Sequence, residues 1–315
     1  MPLRIIFCGT PTFALPTLRY LLVQADFQIA GVVTQPDRPR GRGREIFASP
    51  IKTAALEAGI AVYQPERIKS DEAWQYFQDL ASDAVVIIAY GQIIPARLIE
   101  IPRLGWINLH ASLLPKYRGA APINWAIVNG EIRTGLTTMQ IDAGLDTGPM
   151  LLQYETEIAR DETAPELAIR LAEAGAPLMA DTLRRLDRDE ITASPQDHSQ
   201  KTLAPPLKKE DGRIDWSLAA SQIYNRIRGL QPWPGTFTFF RGKTCHVWGR
   251  PAAQSQVSGA SGTLAFEDGE LLVVCGRGTA LRLEFVQLEG RKHITAKEFA
   301  NGSRLGRDER FGLLK

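Results

Sequence analysis

Through the first half of the chain, short apolar runs alternate with longer stretches whose apolar positions recur every three or four residues. "RIIFC" (4–8) precedes "FALPTLRYLL", "QIAGVVT" precedes "SPIKTAALEAG", "AVYQ" precedes "SDEAWQYFQDL", and "DAVVIIAY" precedes "IIPARLI". Such runs fit strands buried on both faces, and Ser or Asp at the start of the helical stretches can cap free N–H groups. The βαβα order predicts a mostly parallel sheet with helices on both sides. "GWINLH" and "APINWAIVNG" add a strand and a helix. "TGLTTMQI" and "MLLQYETEI" read as extended segments joined by the turn-rich "DAGLDTGP", and "ETAPELAIRLAEAGAPLMADTLRRL" as a long amphipathic helix.

The rhythm then changes. "ASPQDHSQKTLAPPLKKEDG" is polar and Pro-rich, as linkers are. Beyond it one helical stretch, "SLAASQIYNRIRGL", leads through "QPWPG" into short strands punctuated by glycine: "TFTFF", "TCHVWG", "GTLAFE", "ELLVVCG" and "LRLEFVQLEG". That pattern predicts a small β-barrel of the OB-like kind. The fold class is therefore α/β: a Rossmann-like, mostly parallel sheet domain over 1–190, a linker over 191–208 and a small C-terminal β-barrel domain over 209–315. At 315 residues the chain is long enough for two domains, and no internal repeat is visible.

Composition narrows the function classes. With 44% hydrophobic and 23% charged residues the chain reads as an ordinary globular protein. Its longest apolar run, "AVVIIAY", is far below the roughly 20 residues that span a bilayer, so no membrane association is expected. Three unpaired cysteines (Cys8, Cys245, Cys275) favour a reducing, cytoplasmic setting, and four dispersed histidines (His110, His198, His246, His293) make no metal spacing. The net charge of +2 is unevenly placed: from residue 209 onward 16 Lys and Arg stand against 11 Asp and Glu. A basic C-terminal part suits an acidic partner, and equally a solvated surface.

The turn after the first strand, "CGTPTFALP", lacks the three-glycine spacing that brings backbone to a pyrophosphate, which disfavours a nicotinamide enzyme and leaves Gly9 a tight-turn residue. Chemistry points instead to "GWINLH". Asn108 and His110 share one face of a strand whose C-terminal end is where open α/β sheets bind ligands. Asp146, in the following loop, can orient an imidazole and favour its charged form, whereas Asp142 fits an Asx turn. No Ser or Cys stands out as a nucleophile, and Ser112 precedes Leu-Leu-Pro with no second His nearby to activate it, which favours a nucleophile supplied by the substrate.

At these residues the sequence resembles a known family. "NLHASLLPKYRGAAPINWAI" with "MQIDAGLDTGPML" is similar to the formyltransferases that use 10-formyltetrahydrofolate. "TQPDRPRGRG", "ASPIKTAA" and "RGLQPWPGTF" resemble, more narrowly, the members that formylate the α-amine of methionine on initiator methionyl-tRNA. The similarity covers nearly the whole chain. It implies catalytic roles for Asn108, His110 and Asp146, with the amide and a protonated imidazole stabilising the formyl oxygen. It implies a folate site lined by Ser112, Leu113, Leu114 and Pro115, with Tyr90, Gly91 and Gln92 and the Asp142 loop around the pterin. No metal is implied.

Arg38, Arg40, Arg42 and Arg44 alternate along a Pro/Gly-rich loop leaving the second strand, where planar guanidinium groups can follow a phosphate backbone. With Lys208 and Lys209 they form the expected tRNA contact, the loop reaching the acceptor stem as in the family it resembles. Trp233 is expected to pack rather than stack on bases. Two other readings stand beside this one: a folate-dependent enzyme acting on a small substrate such as a nucleotide-linked amino sugar, and an RNA-binding protein without catalysis. The expected oligomeric state is a monomer.

Overall fold

The computed structural model describes residues 1–40, 45–253, 257–267, 269–306 and 309–312, without the side chains of Pro39, Arg40, Glu45 and Ile46. It divides into two compact units: Met1–Pro122 with Arg133–Glu157 and Leu167–Pro205, and Ile123–Ile132 with Ile158–Glu166 and Pro206–Lys315. Among the described residues no helix is long and apolar enough to cross a membrane.

The first unit is built on β1 (Leu3–Gly9), α1 (Leu15–Leu22), β2 (Phe27–Val33), the short pair β3 (Arg38–Arg40) and β4 (Glu45–Phe47), α2 (Pro50–Glu57), β5 (Val62–Tyr63), α3 (Asp71–Leu80), β6 (Ala84–Ile88), α4 (Ala96–Ile99) and β7 (Trp106–His110). After α5 (Pro122–Val128) come β8 (Arg133–Gln140), β9 (Met150–Glu157) and the long α6 (Ala164–Asp187). Seven strands form one sheet in the order β5-β2-β1-β6-β7-β8-β9. The first five are parallel, and β8 and β9 add antiparallel at one edge. β6 and β7 are buried at every position, as the unbroken apolar run of β6 requires.

Helix starts follow the capping chemistry read in the sequence. Ser49 accepts from Lys52 N and Ser70 from Ala73 N, each satisfying an otherwise free donor. Gly9 differs from expectation: it ends β1 itself, and an added Cβ would lie 3.0 Å from Ala14 Cβ and 3.2 Å from Ile88 O, so close packing rather than a turn demands glycine.

The second unit holds α7 (Ala220–Gly229), β10 (Phe237–Phe240), β11 (Lys243–Pro251), β12 (Leu264–Glu267), β13 (Glu270–Val274), β14 (Ala280–Leu288), β15 (Ile294–Thr295) and α8 (Ala296–Ser303). The antiparallel order β10-β11-β14-β13-β12, with β15 beside β14, is consistent with a small barrel. Its end strands are covered by single bridges, Arg213 to Phe237 and Arg310 to Thr263, which blunt edges otherwise open to pairing. Ile223 and Ile227 of α7 and Phe299 of α8 join Val247, Val273, Leu281 and Val286 in its core. Trp233 is 56% exposed, contrary to the packing role expected of it.

The segment 191–208, read from composition as a linker, is built into the first unit as far as Pro205. Ser194 and Met150 exchange both backbone hydrogen bonds at 2.8 Å, and Ala204 N donates to Arg118 O at 2.7 Å. Polar, Pro-rich composition marks chain that forms no helix or long strand; it does not mark chain without partners.

Gly135 in β8 has no room for a side chain, since a Cβ would sit 1.9 Å from Tyr154 O of β9 and 2.6 Å from Leu113 Cδ2. Gly135→Ala is expected to cost on the order of 1–3 kcal/mol, as overpacking does. A thermal melt of the variant within about 1 °C of the wild type would contradict this account of the β8–β9 pair.

Candidate active site

β7 ends the apolar middle of the sheet with two polar side chains on one face. Asn108 lies between Ile87 of β6 and Met139 of β8, and His110 pairs with Thr137. Both are largely buried, 9% and 6% exposed. A buried amide normally finds a partner. Among the described residues the Asn108 amide makes no side-chain hydrogen bond, yet it is not sealed from solvent. It is available to a ligand.

His110 is engaged on both ring edges. Its Nε2 lies 2.9 Å from the Tyr117 carbonyl, which can only accept, so Nε2 carries a hydrogen and donates it. Its Nδ1 faces Asp146 Oδ2 at 3.7 Å, too long for a hydrogen bond but within ion-pair range. The pairing of Asp146 with His110 foreseen in the sequence is thus present as proximity, with the bond unclosed. Asp146 Oδ2 instead accepts from Gly119 N at 2.8 Å.

Both partners of His110 sit on strained backbone: Tyr117 has φ +59° and Asp146 φ +50°. Left-handed non-glycine residues cost roughly 1 kcal/mol or more each and persist only where their surroundings hold them. Tyr117 N donates to Thr202 Oγ1 at 2.8 Å, and Arg118 N donates to Thr202 O at 2.9 Å. Gly119 has φ +123°, and a Cβ there would meet Ala204 O at 2.6 Å. Around Asp146, Gln196 Nε2 donates to Asp146 O at 2.9 Å and to Gly148 O at 2.7 Å. Thr202 and Gln196 both come from the segment whose composition reads as a linker. The sequence offered no signal for either, because their partners are mostly backbone groups.

The residues expected around a folate are differently disposed. The Tyr90 side chain is 2% exposed and packs with Ile6, Cys8, Val33 and Phe77, so only its backbone can serve a ligand. Its carbonyl already accepts from Gln35 Nε2 at 3.0 Å and Thr10 Oγ1 at 3.3 Å. Gly91, at φ +91°, is exposed. Gln92 is turned away, accepting from Ile68 N at 2.8 Å. The Ser112 hydroxyl is spent on Lys116 O at 2.6 Å, and Leu114 is buried core. Leu113 and Pro115 are half-buried and keep apolar surface for a ligand. Asp142 makes its Asx turn, accepting from Gly144 N and from Thr147 Oγ1 at 2.7 Å.

Cysteine chemistry is disfavoured. All three thiols are buried and free, and burial pushes them up, Cys245 and Cys275 to about 12, so none offers a thiolate near neutrality.

Of the basic loop, Arg38 is exposed in β3, Arg40 is described by its backbone alone, and Arg42 and Arg44 lie outside the described residues. The loop is anchored where it leaves the sheet: Asp37 accepts from Lys52 Nζ at 2.5 Å and Gln64 Nε2 at 2.8 Å. Lys52 first and Gln64 second hold the Asp37 carboxyl below the usual carboxylate range. Lys208 and Lys209 are exposed at the start of a short 3₁₀ turn in the second unit.

Residues 3–183 match the formyl transferase family model, and residues 206–304 match that of the formyl transferase C-terminal domain. The chain belongs to the formyl transferase family. Within it, the chain is similar from end to end to proteins named methionyl-tRNA formyltransferase. It is 54% identical to that of Solibacter usitatus, over 98% of this chain and 99% of the relative, and 51% identical to that of Koribacter versatilis over the same shares. A crystal structure of WlaRD, a sugar 3N-formyl transferase in the presence of dTDP and 5-N-formyl-THF, shares the fold. It superposes with a TM-score of 0.66 over 93% of this chain and all of its own, at 18% identity.

The turn after β7 hangs on one hydroxyl. Thr137 Oγ1 donates to Ser112 O at 2.7 Å, and accepts from Leu114 N at 3.1 Å and Gln153 Nε2 at 3.0 Å. Thr137→Val is expected to lower stability by about 1–3 kcal/mol by stranding the buried Leu114 N–H. Urea unfolding monitored by Trp fluorescence reads this as a lower midpoint at unchanged slope.

Proposed function

We propose that the chain transfers the formyl group of 10-formyltetrahydrofolate to the α-amine of methionine on initiator tRNA. What carries the chemistry is the state of the β7 end: an Asn108 amide without a partner beside a His110 whose Nε2 is already committed. The choice of acceptor rests on end-to-end identity with relatives named for it.

The folate supplies the formyl carbon and a nitrogen that must leave with a proton. An ester-linked α-amine, with a reference pKa of about 7.7 to 8.0 or below, needs little activation near neutrality. The protein's task is therefore to stabilise negative charge on the formyl oxygen and to move one proton. Asn108 donates its amide hydrogen to that oxygen. Because the Tyr117 carbonyl holds the hydrogen on Nε2, Nδ1 is the nitrogen of His110 that takes up and releases a proton, next to Asp146. The amine adds to the formyl carbon and places the charge on its oxygen; as the C=O re-forms, the old C–N bond breaks and the proton lost by the amine ends on the departing folate nitrogen. Leu113 and Pro115, with the backbone at Gly91, give a flat heterocycle an apolar wall with a polar rim.

Arg38 and the neighbouring arginines, with Lys208 and Lys209, suit a phosphate backbone. Among small acceptors, an amino sugar linked to a nucleotide is the competing substrate, and its two phosphates match a run of four arginines less well than an RNA backbone does.

Incubating the protein and 10-formyltetrahydrofolate with methionyl initiator tRNA, or with a UDP-linked amino sugar, separates the two readings by mass spectrometry of the N-formyl product. Formylation of the sugar alone would overturn the tRNA reading. Asn108→Ala is expected to lose ~10²- to 10³-fold in kcat, as removal of one oxyanion donor does, at an unchanged melting temperature. His110→Ala is expected to lose ~10²- to 10⁴-fold. Arg38→Ala is expected to raise the KM for tRNA and lower the salt slope of tRNA binding by about 1, leaving the KM for the folate alone.

A further inference from the structure

Gln196 is 5% exposed and makes four hydrogen bonds, none of which fits a linker. Its Oε1 accepts from Arg118 Nε at 3.0 Å and Nη2 at 2.6 Å. Its Nε2 donates to the carbonyls of Asp146 at 2.9 Å and Gly148 at 2.7 Å. The orientation of the amide admits no alternative, because turning it over would set –NH2 against a guanidinium and an oxygen against two carbonyls. Arg118 is itself 3% exposed and held on its other side, where Nη1 donates to His198 Nδ1 at 3.1 Å.

The geometry points to Gln196 as a positioning residue for Asp146, aimed by Arg118. This assignment rests on the formyl-transfer reading of Asp146. The loop between β8 and β9 is exposed from Asp142 to Leu145, and the strained φ of Asp146 gives it no intrinsic preference for its place. Of the loop's backbone carbonyls, those of Asp146 and Gly148 bracket the turn that carries the carboxylate, and Gln196 holds both. It thereby holds the backbone from which the carboxylate projects, while Gly119 N, donating to Oδ2 at 2.8 Å, holds its tip, and the two together set the distance at which Oδ2 faces His110 Nδ1. Arg118 has two neutral partners in Gln196 and His198, so its part is to fix the direction of the amide. The chain uses a buried cation to aim a side chain that never meets substrate.

The informative variant is Gln196→Glu. A glutamate keeps two acceptors for Arg118 and the fold around it, but offers Asp146 and Gly148 oxygens in place of donors. Gln196→Ala removes both halves. If Gln196 positions Asp146, both variants lose ~10- to 10²-fold in kcat, as a misplacement of about 1 Å does, with KM for folate and for tRNA each within about twofold of wild type. Placed in an Asp146→Ala background, Gln196→Glu causes no further loss, because the residue it positions is gone. If Gln196 only satisfies Arg118, the glutamate variant keeps wild-type kcat; that result, or a full additional loss in the Asp146→Ala background, overturns the assignment. A wild-type protein that formylates no methionyl-tRNA overturns the function proposed above and this assignment with it. Normal wild-type turnover with unaffected Gln196 variants removes the assignment alone.

Discussion

The hydrogen bond from His110 Nε2 to the Tyr117 carbonyl decides how the rest of the site can work. It commits one ring nitrogen to the backbone, turns the other toward Asp146, and fixes the plane of the ring. The carbonyl points at the ring only because Tyr117 occupies a left-handed conformation, and that conformation depends on Thr202 and on the bridge between Arg118 and Leu203. Thr202, accepting from Tyr117 N through its hydroxyl and from Arg118 N through its carbonyl, therefore stands behind the tautomer of a residue at position 110. The second contact of the ring, to Asp146, stands at 3.7 Å, within ion-pair range and too long for a hydrogen bond.

The same economy runs through the architecture. β6 is apolar throughout, β7 carries Asn108 and His110 toward its carboxyl end although both stay largely buried, and β8 supplies Thr137 to hold the turn that follows. The second unit gathers two earlier pieces of chain, residues 123–132 and 158–166. Arg228, buried in that unit, secures one of them by donating to the carbonyl of Glu162 at 3.0 Å, and Asn124 Nδ2 caps α7 by donating to Gly229 O at 2.7 Å. Order along the chain and membership of a compact unit are different things here.

Much of this was legible in the sequence, for identifiable reasons. The alternating periods of the first half give the parallel sheet, since burial on two faces and on one leave different spacings. Asn108 and His110 stood out because polar residues in an apolar strand need a purpose. Nothing in the sequence signals that the Tyr90 side chain turns into the core, since the left-handed conformation of Ala89, φ +48°, that precedes it has no signature in an alanine. Helix α8 was overlooked although Thr295 and Glu298 spell a capping box, with Glu298 N donating to Thr295 Oγ1 and the carboxylate returning to Thr295 N. Gln196 and Thr202 left no trace, because contacts to carbonyls and N–H groups impose no pattern on the residues that carry them.

The bridge of Ser194 to Met150, followed by Gln196, Thr202 and Ala204, also bears on modularity. A first half excised at the compositional boundary near residue 190 would keep Asn108, His110 and Asp146 but lose Gln196 and Thr202, which brace the backbone at Asp146 and Tyr117. A cut after Pro205 spares the first unit but still parts the second from residues 123–132 and 158–166, so no single break in the chain separates the two units cleanly. Shifts in composition along this chain therefore mark where regular structure stops, and not where a folded unit stops.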